Sequence, residues 1–391
     1  MKTIRIGNGC GFWGDSIDAP KRLVRAGKLD YLTLEYLAEL TMSILTRQKQ
    51  KNPQAGFAHD FLTVLRSLVP ELIQQPHLKI ITNAGGMNPK SCAEQALALL
   101  QENNCPRAVG VLSGDDILPH LDQFHAAGEH FTNLDDGSPF ESISGRIVSA
   151  NAYLGAPPIA KILQAGAEIV ITGRVADASL CLAPAAHEFG WGWQDWDRLA
   201  AGIVAGHLIE CGAQATGGLW CNFQEISDFT NIGYPLAELS ENGELIITKP
   251  EGSGGAVNTE TIAEQLLYEV FDPEQYVTPD LIADFSSVRL CQNGNNRVSV
   301  LNTRGLPATS TYKVSMAYHD GYQASSTLVI LGPEVTAKAR LTGQLILDRL
   351  KSAGFEFQRT HIEVLGAGDS VPGTLVAGKP VDAVLHCRTR P

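Results

Sequence analysis

The chain has 391 residues, of which 44% are hydrophobic and 18% are charged, and its 30 Lys and Arg stand against 42 Asp and Glu. The resulting net charge of −12 argues against a nucleic-acid backbone or an anionic membrane surface as the main partner. Eight scattered cysteines without a Cys-x-x-Cys pair indicate reduced thiols, and no apolar run approaches the ~20 residues that span a bilayer. We therefore expect a cytoplasmic protein of two domains.

Short apolar strands alternate with helical patterns through the first half of the chain. Six strand–helix units begin with "TIRIGNG", "DYLTLE", "LKIITN", "AVGVLS", "GRIVSAN" and "EIVITG". This alternation predicts an α/β domain over residues 1–225, with a mostly parallel, doubly wound sheet and helices on both faces. Barrel-like closure of the sheet is the alternative, although a closed barrel would need eight such units.

The pattern changes after about residue 220. "ELIITKP" reads as a strand, "GSGGAVNTETIAEQLLYEV" as a glycine turn that leads into a helix, and "SVRLCQNGNNRVSVLN" as two strands around an Asn/Gly turn. A second strand pair is expected in "TYKVSMAYHDGYQASSTLVIL", followed by a helix and the strand "HIEVLG". Residues 226–391 are therefore predicted to form an α+β domain with antiparallel strands.

Polar, glycine-rich segments follow the strands of the first domain. Ligands of parallel α/β folds bind beyond the carboxyl ends of the strands, so these segments predict one shared site. Grouped carboxylates raise one another's pKa and can act as general acids and bases, or they can hold a divalent cation. The predicted catalytic residues are Asp15, Glu35, Asp115 and Asp177. Helix capping is the competing role for Asp15 and Asp115, and the cofactor is left open between a divalent cation and none.

Groups that could bind an anionic small molecule lie at the same strand ends and in two later glycine turns. Arg174 can form a bidentate fork on a carboxylate or phosphate, or it can instead pair with Asp177. Amides of glycine turns can donate to an anion, and Asn side chains can orient it. The other predicted substrate-binding residues are Gly9, Gly11, Asn83, Gly85, Gly86, Asn151, Tyr153, Thr216, Gly217, Gly218, Gly254 and Gly255.

The first glycine loop also matches a dinucleotide-binding pattern. Gly9, Gly11 and Gly14 have the spacing G-x-G-x-x-G, and Glu35 lies 21 residues beyond Gly14, where a ribose-binding acid would be expected. The bulky "FW" pair between the glycines and the following Asp15 oppose this interpretation, because a pyrophosphate needs bare backbone there. The loop is therefore predicted to form an active-site wall, with a nicotinamide-dependent oxidoreductase as the alternative.

Several long motifs together resemble one family. They are "GNGCGFWGD", "DYLTLEYLAELTM", "ITNAGGMNP", "NAYLGAPPIAKIL", "IVITGRVADASLCLAPAAHEFGW", "ATGG", "GSGGAVNTETIAEQLLYE" and "YVTPDLIADF". In order and over residues 3–290, this set resembles the acyclic terpene utilisation protein AtuA family.

The resemblance implies a role in the breakdown of branched or terpenoid acids, beside acyl-CoA carboxylases and enoyl-CoA hydratases. We accordingly expect a lyase of the hydro-lyase type that acts on an acyl-CoA or a polycarboxylic acid. A non-catalytic scaffold subunit of a carboxylase or hydratase system is a further alternative. The expected partner is a small anionic substrate, with no nucleic acid and no membrane, and the chain is expected to form a homo-oligomer.

Overall fold

A computed structural model describes residues 1–369 and the backbone of residues 382–390. The helices in this part of the chain are α1 (Ala19–Gly27), α2 (Glu39–Lys51), α3 (Asp60–Gln74), α4 (Pro89–Glu102), α5 (Leu121–Ala126), α6 (Ala156–Gln164), α7 (Ser179–Phe189), α8 (Trp196–Glu210), α9 (Thr259–Leu267) and α10 (Val335–Ser352). Each of these helices is too short or too polar to cross a lipid bilayer.

The strands are shorter than most of the helices. They are β1 (Thr3–Asn8), β2 (Tyr31–Leu34), β3 (Lys79–Thr82), β4 (Val109–Leu112), β5 (Ile147–Ala152), β6 (Ile169–Thr172), β7 (Leu236–Ser240), β8 (Leu245–Thr248), β9 (Tyr276–Val277), β10 (Leu281–Asp284), β11 (Arg289–Gln292), β12 (Arg297–Leu301), β13 (Arg304–Pro307), β14 (Val314–Tyr318), β15 (Ala324–Leu331), β16 (Arg359–Leu365) and β17 (Asp382–Arg390).

A nine-stranded sheet forms the centre of the fold. Its order is β11-β12-β8-β7-β1-β2-β3-β6-β4. Strands β1, β2, β3, β6 and β4 run parallel to one another. Beyond β1 the sheet continues with β7, β8, β12 and β11, each of which is antiparallel to its neighbour. The α/β class and the mostly parallel central sheet are confirmed. The barrel alternative is wrong, because the described sheet is open and ends at β11 and β4.

Helices cover both faces of the parallel strands, as predicted. Successive strand residues point to opposite faces, so Leu32 and Ile80 pack on one side of the sheet and Tyr31 and Ile81 on the other. The first side is covered by apolar residues of α1, α3 and α4, and the second by those of α7 and α8. Burial on both faces explains why the strands are short apolar runs without polar alternation.

Strand β5 departs from the expected topology. The segment "GRIVSAN" forms a strand, but it lies outside the central sheet and pairs antiparallel with β14. Strand β15 pairs with β17, so β14 and β15 are not the strand pair that the sequence suggested. The main sheet therefore contains five of the six predicted parallel strands.

The chain divides into two compact units, Met1–Tyr318 and His319–Pro391. In the first unit, β7 and β8 join the same sheet as β1, so that sheet continues across residues 225/226, where the sequence placed a domain boundary. The second unit contains the antiparallel sheet β15-β17-β16. The small hydrophobic core of this unit contains Val335 and Ala339 of α10 and Val364 of β16.

Candidate active site

A cleft of about 800 Å³ lies in the unit 1–318, at the carboxyl ends of β1, β2 and β6. Residues 11–15, 35–39 and 174–177 follow these three strands and supply part of its lining. The rest comes from the end of α8, from residues 268–279 and from single residues of distant segments. The predicted residues that line the cleft are Gly11, Asp15, Glu35, Tyr153, Arg174, Asp177 and Gly218.

The loop after β1 presents Asp15 at the wall of the cleft. The Asp15 carboxylate accepts hydrogen bonds from Gly11 N (2.8 Å), Ser16 N (2.6 Å) and the Tyr234 hydroxyl (2.5 Å). Tyr234 also lines the cleft and lies just before β7, which begins at Leu236. The carboxylate is therefore fixed by its own loop and by the antiparallel half of the sheet.

The glycines of this loop serve close backbone packing. A Cβ atom at position 11 would lie 2.6 Å from the carbonyl carbon of Cys211, and one at position 9 would lie 2.9 Å from Pro20 Cα. Gly9 N donates to Thr33 O at 3.0 Å, and Gly11 N donates to the Asp15 carboxylate. Both amides already have acceptors within the protein, so they are not available to bind a pyrophosphate. These contacts favour the interpretation of the loop as an active-site wall.

Glu35 is buried at the end of β2. One carboxyl oxygen accepts a hydrogen bond from Leu37 N at 2.7 Å, and the other accepts one from the Asn83 side chain. The Asn83 side-chain oxygen in turn accepts from Tyr36 N at 2.8 Å, which fixes the amide orientation. Asn83 does not line the cleft, so it acts as a support that orients Glu35.

Arg174 and Asp177 form an ion pair after β6, where the sequence had left the pairing open. Arg174 is 1% exposed, and its guanidinium also donates to Val175 O (2.7 and 2.9 Å) and to Leu37 O (2.9 Å). These bonds direct the Arg174 donors into the protein. A buried guanidinium at this place mainly acts as a fixed positive charge beside the carboxylates.

The two acids on either side of Arg174 influence each other. Burial raises the pKa of Glu35 well above its usual range, and the Asp177 charge raises it further, against the opposing effect of Arg174. Burial also raises the pKa of Asp177, while Arg174 counteracts this and the charges of Glu210 and Glu39 add to it. Burial therefore favours the protonated form of Glu35, whereas Arg174 favours the ionised form of its direct partner, Asp177.

A second charged group borders the cleft at the start of α2. Glu39 accepts hydrogen bonds from the Tyr153 hydroxyl (2.8 Å) and from Lys313 Nζ (2.9 Å). Although burial favours the neutral form, the hydrogen bond and charge of Lys313 lower the pKa of Glu39 to about 2. The Lys313 ammonium and the Arg174 guanidinium lie 4.8 and 4.6 Å from the centroid of the Tyr153 ring.

The end of α8 contributes residues that the strand-end reasoning missed. His207 Nδ1 lies 3.2 Å from Glu210 Oε1, and the imidazole packs against Tyr276 and Phe285 with centroid distances of 5.1 Å. His207, Glu210, Cys211 and Tyr276 all line the cleft. In the sequence, His207 was only a lone histidine in an apolar helix. The prediction considered the segments that follow strands, and these residues lie at the end of a helix instead.

Asp115 lies behind the cleft. Its carboxylate accepts from Arg174 N at 2.9 Å and from the Asn151 side chain at 2.8 Å. Burial raises its pKa, and these hydrogen bonds oppose that shift. Asp115 and Asn151 therefore brace the backbone that carries Arg174.

Most of the predicted glycines also lie outside the lining, and the backbone amides of several of them already donate to carbonyl groups of the protein. Gly254 N donates to Asn231 O at 2.7 Å, and Gly255 N donates to Asp228 O at 3.2 Å. Gly218 lines the cleft, but its amide donates to Ala213 O at 2.8 Å. The predicted residues that do not line the cleft are Gly9, Asn83, Gly85, Gly86, Asp115, Asn151, Thr216, Gly217, Gly254 and Gly255.

Among the side chains that the structure describes, no group of three or more His, Cys, Asp or Glu is placed to hold one ion. Whether the protein binds a divalent cation or no cofactor therefore stays as open as the sequence left it.

Fold and site together define an α/β protein with a carboxylate-rich cleft at the strand ends of a mixed sheet. The chain belongs to the acyclic terpene utilisation family AtuA, whose family model matches residues 4–388. No curated protein and no solved structure matches the chain.

Proposed function

We propose that the protein is a hydro-lyase that adds water to, or removes it from, the acyl group of a branched or terpenoid acid. The observation that carries this proposal is that the buried Glu35, the partly exposed Asp177 and its ion-pair partner Arg174 line one cleft that is large enough for a small molecule. Membership of a terpene utilisation family supports the choice of substrate.

The two carboxyl groups suit opposite halves of a proton transfer. Asp177, in its ionised form beside Arg174, acts as the base that removes a proton from the carbon next to the carbonyl group. Glu35, whose pKa is raised, is the acid that protonates the departing hydroxyl. A C–H bond and a C–O bond break, a C=C bond forms and water leaves. Hydration runs through the same steps in reverse, and solvent exchange resets both protons.

Deuterium exchange tests this chemistry in either direction. The purified protein is incubated in D₂O with branched enoyl and 3-hydroxyacyl thioesters and with the corresponding free acids, and products are followed by mass spectrometry. We expect deuterium at the carbon next to the carbonyl group, together with a mass change of one water. Glu35→Gln and Asp177→Asn should each lower the rate at least about a hundredfold.

Glu71→Gln is the matched control, because Glu71 is also a buried carboxylate but pairs with Arg25 and does not line the cleft. Its exchange rate should equal that of the unchanged protein. Exchange that survives both Glu35→Gln and Asp177→Asn contradicts the assignment of these roles, and an unchanged protein without exchange on any member of the panel contradicts the proposal.

The pH profile gives an independent readout. Activity needs one ionised and one protonated carboxyl, so the rate should rise as the pair loses its first proton and fall as it loses its second. Glu35→Gln cannot lose the second proton. Any residual rate of that variant should therefore stay level on the alkaline side.

A further inference from the structure

The charge balance of the cleft is strongly negative. Both lysine and arginine side chains of its lining are already paired, Arg174 with Asp177 and Lys313 with Glu39. The remaining basic side chain, His207, lies 3.2 Å from Glu210. Against these stand five carboxylates, those of Asp15, Glu39, Asp177, Glu210 and Glu269, in addition to the Glu35 carboxyl, for which burial favours the protonated form.

Backbone donors do not offset this charge in the two glycine segments of the lining. Gly11 N donates to Asp15, and Gly218 N donates to Ala213 O. A carboxylate ligand would give up its hydration and meet like charges, with every lining cation already neutralised by a neighbour. The cleft is therefore a poor site for an anion.

Apolar side chains also line the cleft and remain open to solvent. Phe12 is 58% exposed, Leu219 is 69% exposed and Val277 is 54% exposed. Tyr268 adds a partly exposed aromatic ring to the same lining. Exposed apolar groups concentrated in one cavity are typical of a binding surface for hydrocarbon, since covering them removes apolar area from water.

We infer that the cleft binds its substrate as an uncharged, branched hydrocarbon chain and rejects a free carboxylate. The chain lies against Phe12, Leu219 and Val277, and the polar end near Glu35 and Asp177 is a neutral carbonyl group such as that of a thioester. This inference rests on the proposed function for the place of the reacting group. Of the two substrate types expected from the sequence, it selects the acyl thioester over the polycarboxylic acid.

Binding of two matched ligands tests this inference. A branched acid of about ten carbons and its primary amide have the same chain and differ in the charge of one end. Isothermal titration calorimetry with the full chain at pH 7.5 should show the amide binding at least about tenfold more tightly than the acid.

Two variants separate charge from shape. Glu269→Gln removes a negative charge of the lining at an exposed position, so it should bind the acid several-fold more tightly while its affinity for the amide stays within about twofold. Glu94→Gln is the control, because Glu94 is exposed on α4 and does not line the cleft. It should change neither affinity.

Two results would overturn the inference. They are an acid that binds as tightly as the amide, and the failure of both ligands to bind. The titration needs no turnover, so its outcome is distinct from that of the deuterium exchange. A protein without exchange that still prefers the amide would refute the hydro-lyase proposal and leave the ligand preference intact.

Discussion

Asp280 should make the unit 1–318 less stable at neutral pH than at acidic pH. Its carboxyl group is buried between two helix starts, where it accepts a hydrogen bond from Ala156 N of α6 (2.7 Å) and one from the Ser179 hydroxyl of α7 (2.5 Å). Burial raises its pKa to about 6, and the two hydrogen bonds oppose but do not cancel this shift. Asp280 is therefore protonated in the folded state at pH values where it is ionised in the unfolded state.

The size and sign of the effect follow from proton linkage. The folded pKa is above the unfolded value of 3.8, so the stabilisation is complete below pH 3.8 and is lost as the pH rises through about 6. The difference of about two pKa units corresponds to about 3 kcal/mol in the free energy of unfolding, of which about half is lost above pH 5. Asp280→Asn keeps a side-chain oxygen that can accept from Ala156 N and an amide group beside the Ser179 hydroxyl. Because this side chain does not ionise, its contribution to the free energy of unfolding does not change with pH.

Urea unfolding at pH 5.0, 6.0, 7.0 and 7.5 measures this difference. Tryptophan fluorescence reports on the first unit alone, because all five tryptophans lie within residues 1–318. The free energy of unfolding of Asp280→Asn minus that of the unchanged protein should increase by about 1.5 kcal/mol from pH 5 to pH 7.5. Asp122→Asn, at an exposed position of α5, should give a constant difference. A constant difference for Asp280→Asn as well would refute the reasoning.

Two further predictions concern the walls of the cleft. Gly11→Ala should lower the free energy of unfolding by about 1–3 kcal/mol, because its Cβ would collide with the Cys211 backbone. Gly145→Ala, where a Cβ meets open space at an ordinary φ, should have no effect of this kind in the same urea titration. Lys313→Met should raise the pKa of Glu39 from about 2 towards that of a free glutamate, as followed by carbon NMR of the glutamate carboxyl groups. An unchanged Glu39 titration would show that Lys313 is not the cause.

The parallel half of the fold was predictable because its strands and helices alternate within short sequence distances. Of the antiparallel pairs, β11 with β12 was predictable from its Asn/Gly turn. The pairs β1 with β7 and β5 with β14 were not, since each joins segments that are far apart in the chain. Strand β5 has the same apolar pattern as the strands of the sheet, but its partner β14 lies more than 150 residues later. A local pattern predicts that a segment is a strand and leaves its neighbour undetermined.

The site was predictable where it follows parallel strands. Asp15, Glu35 and Asp177 all line the cleft, as expected for residues beyond β1, β2 and β6. Asp115 follows β4 at the edge of the sheet and is directed to the Arg174 backbone instead. Lys313 could not be found in this way, because it reaches Glu39 from a segment before β14.

The place of β1 in the sheet has a consequence for synthesis on the ribosome. One edge of β1 pairs with β2, which follows within about 30 residues. The other edge pairs with β7, which is synthesised much later, since this pairing joins Thr3 to Ser240. At about 5–20 residues per second, the strand spends about 10–45 s with a free edge. Unpaired strand edges are templates for association with other chains. Nascent copies are thus most exposed to aggregation through this edge before residue 240 leaves the exit tunnel. The cleft is completed later still, because its lining includes Lys313.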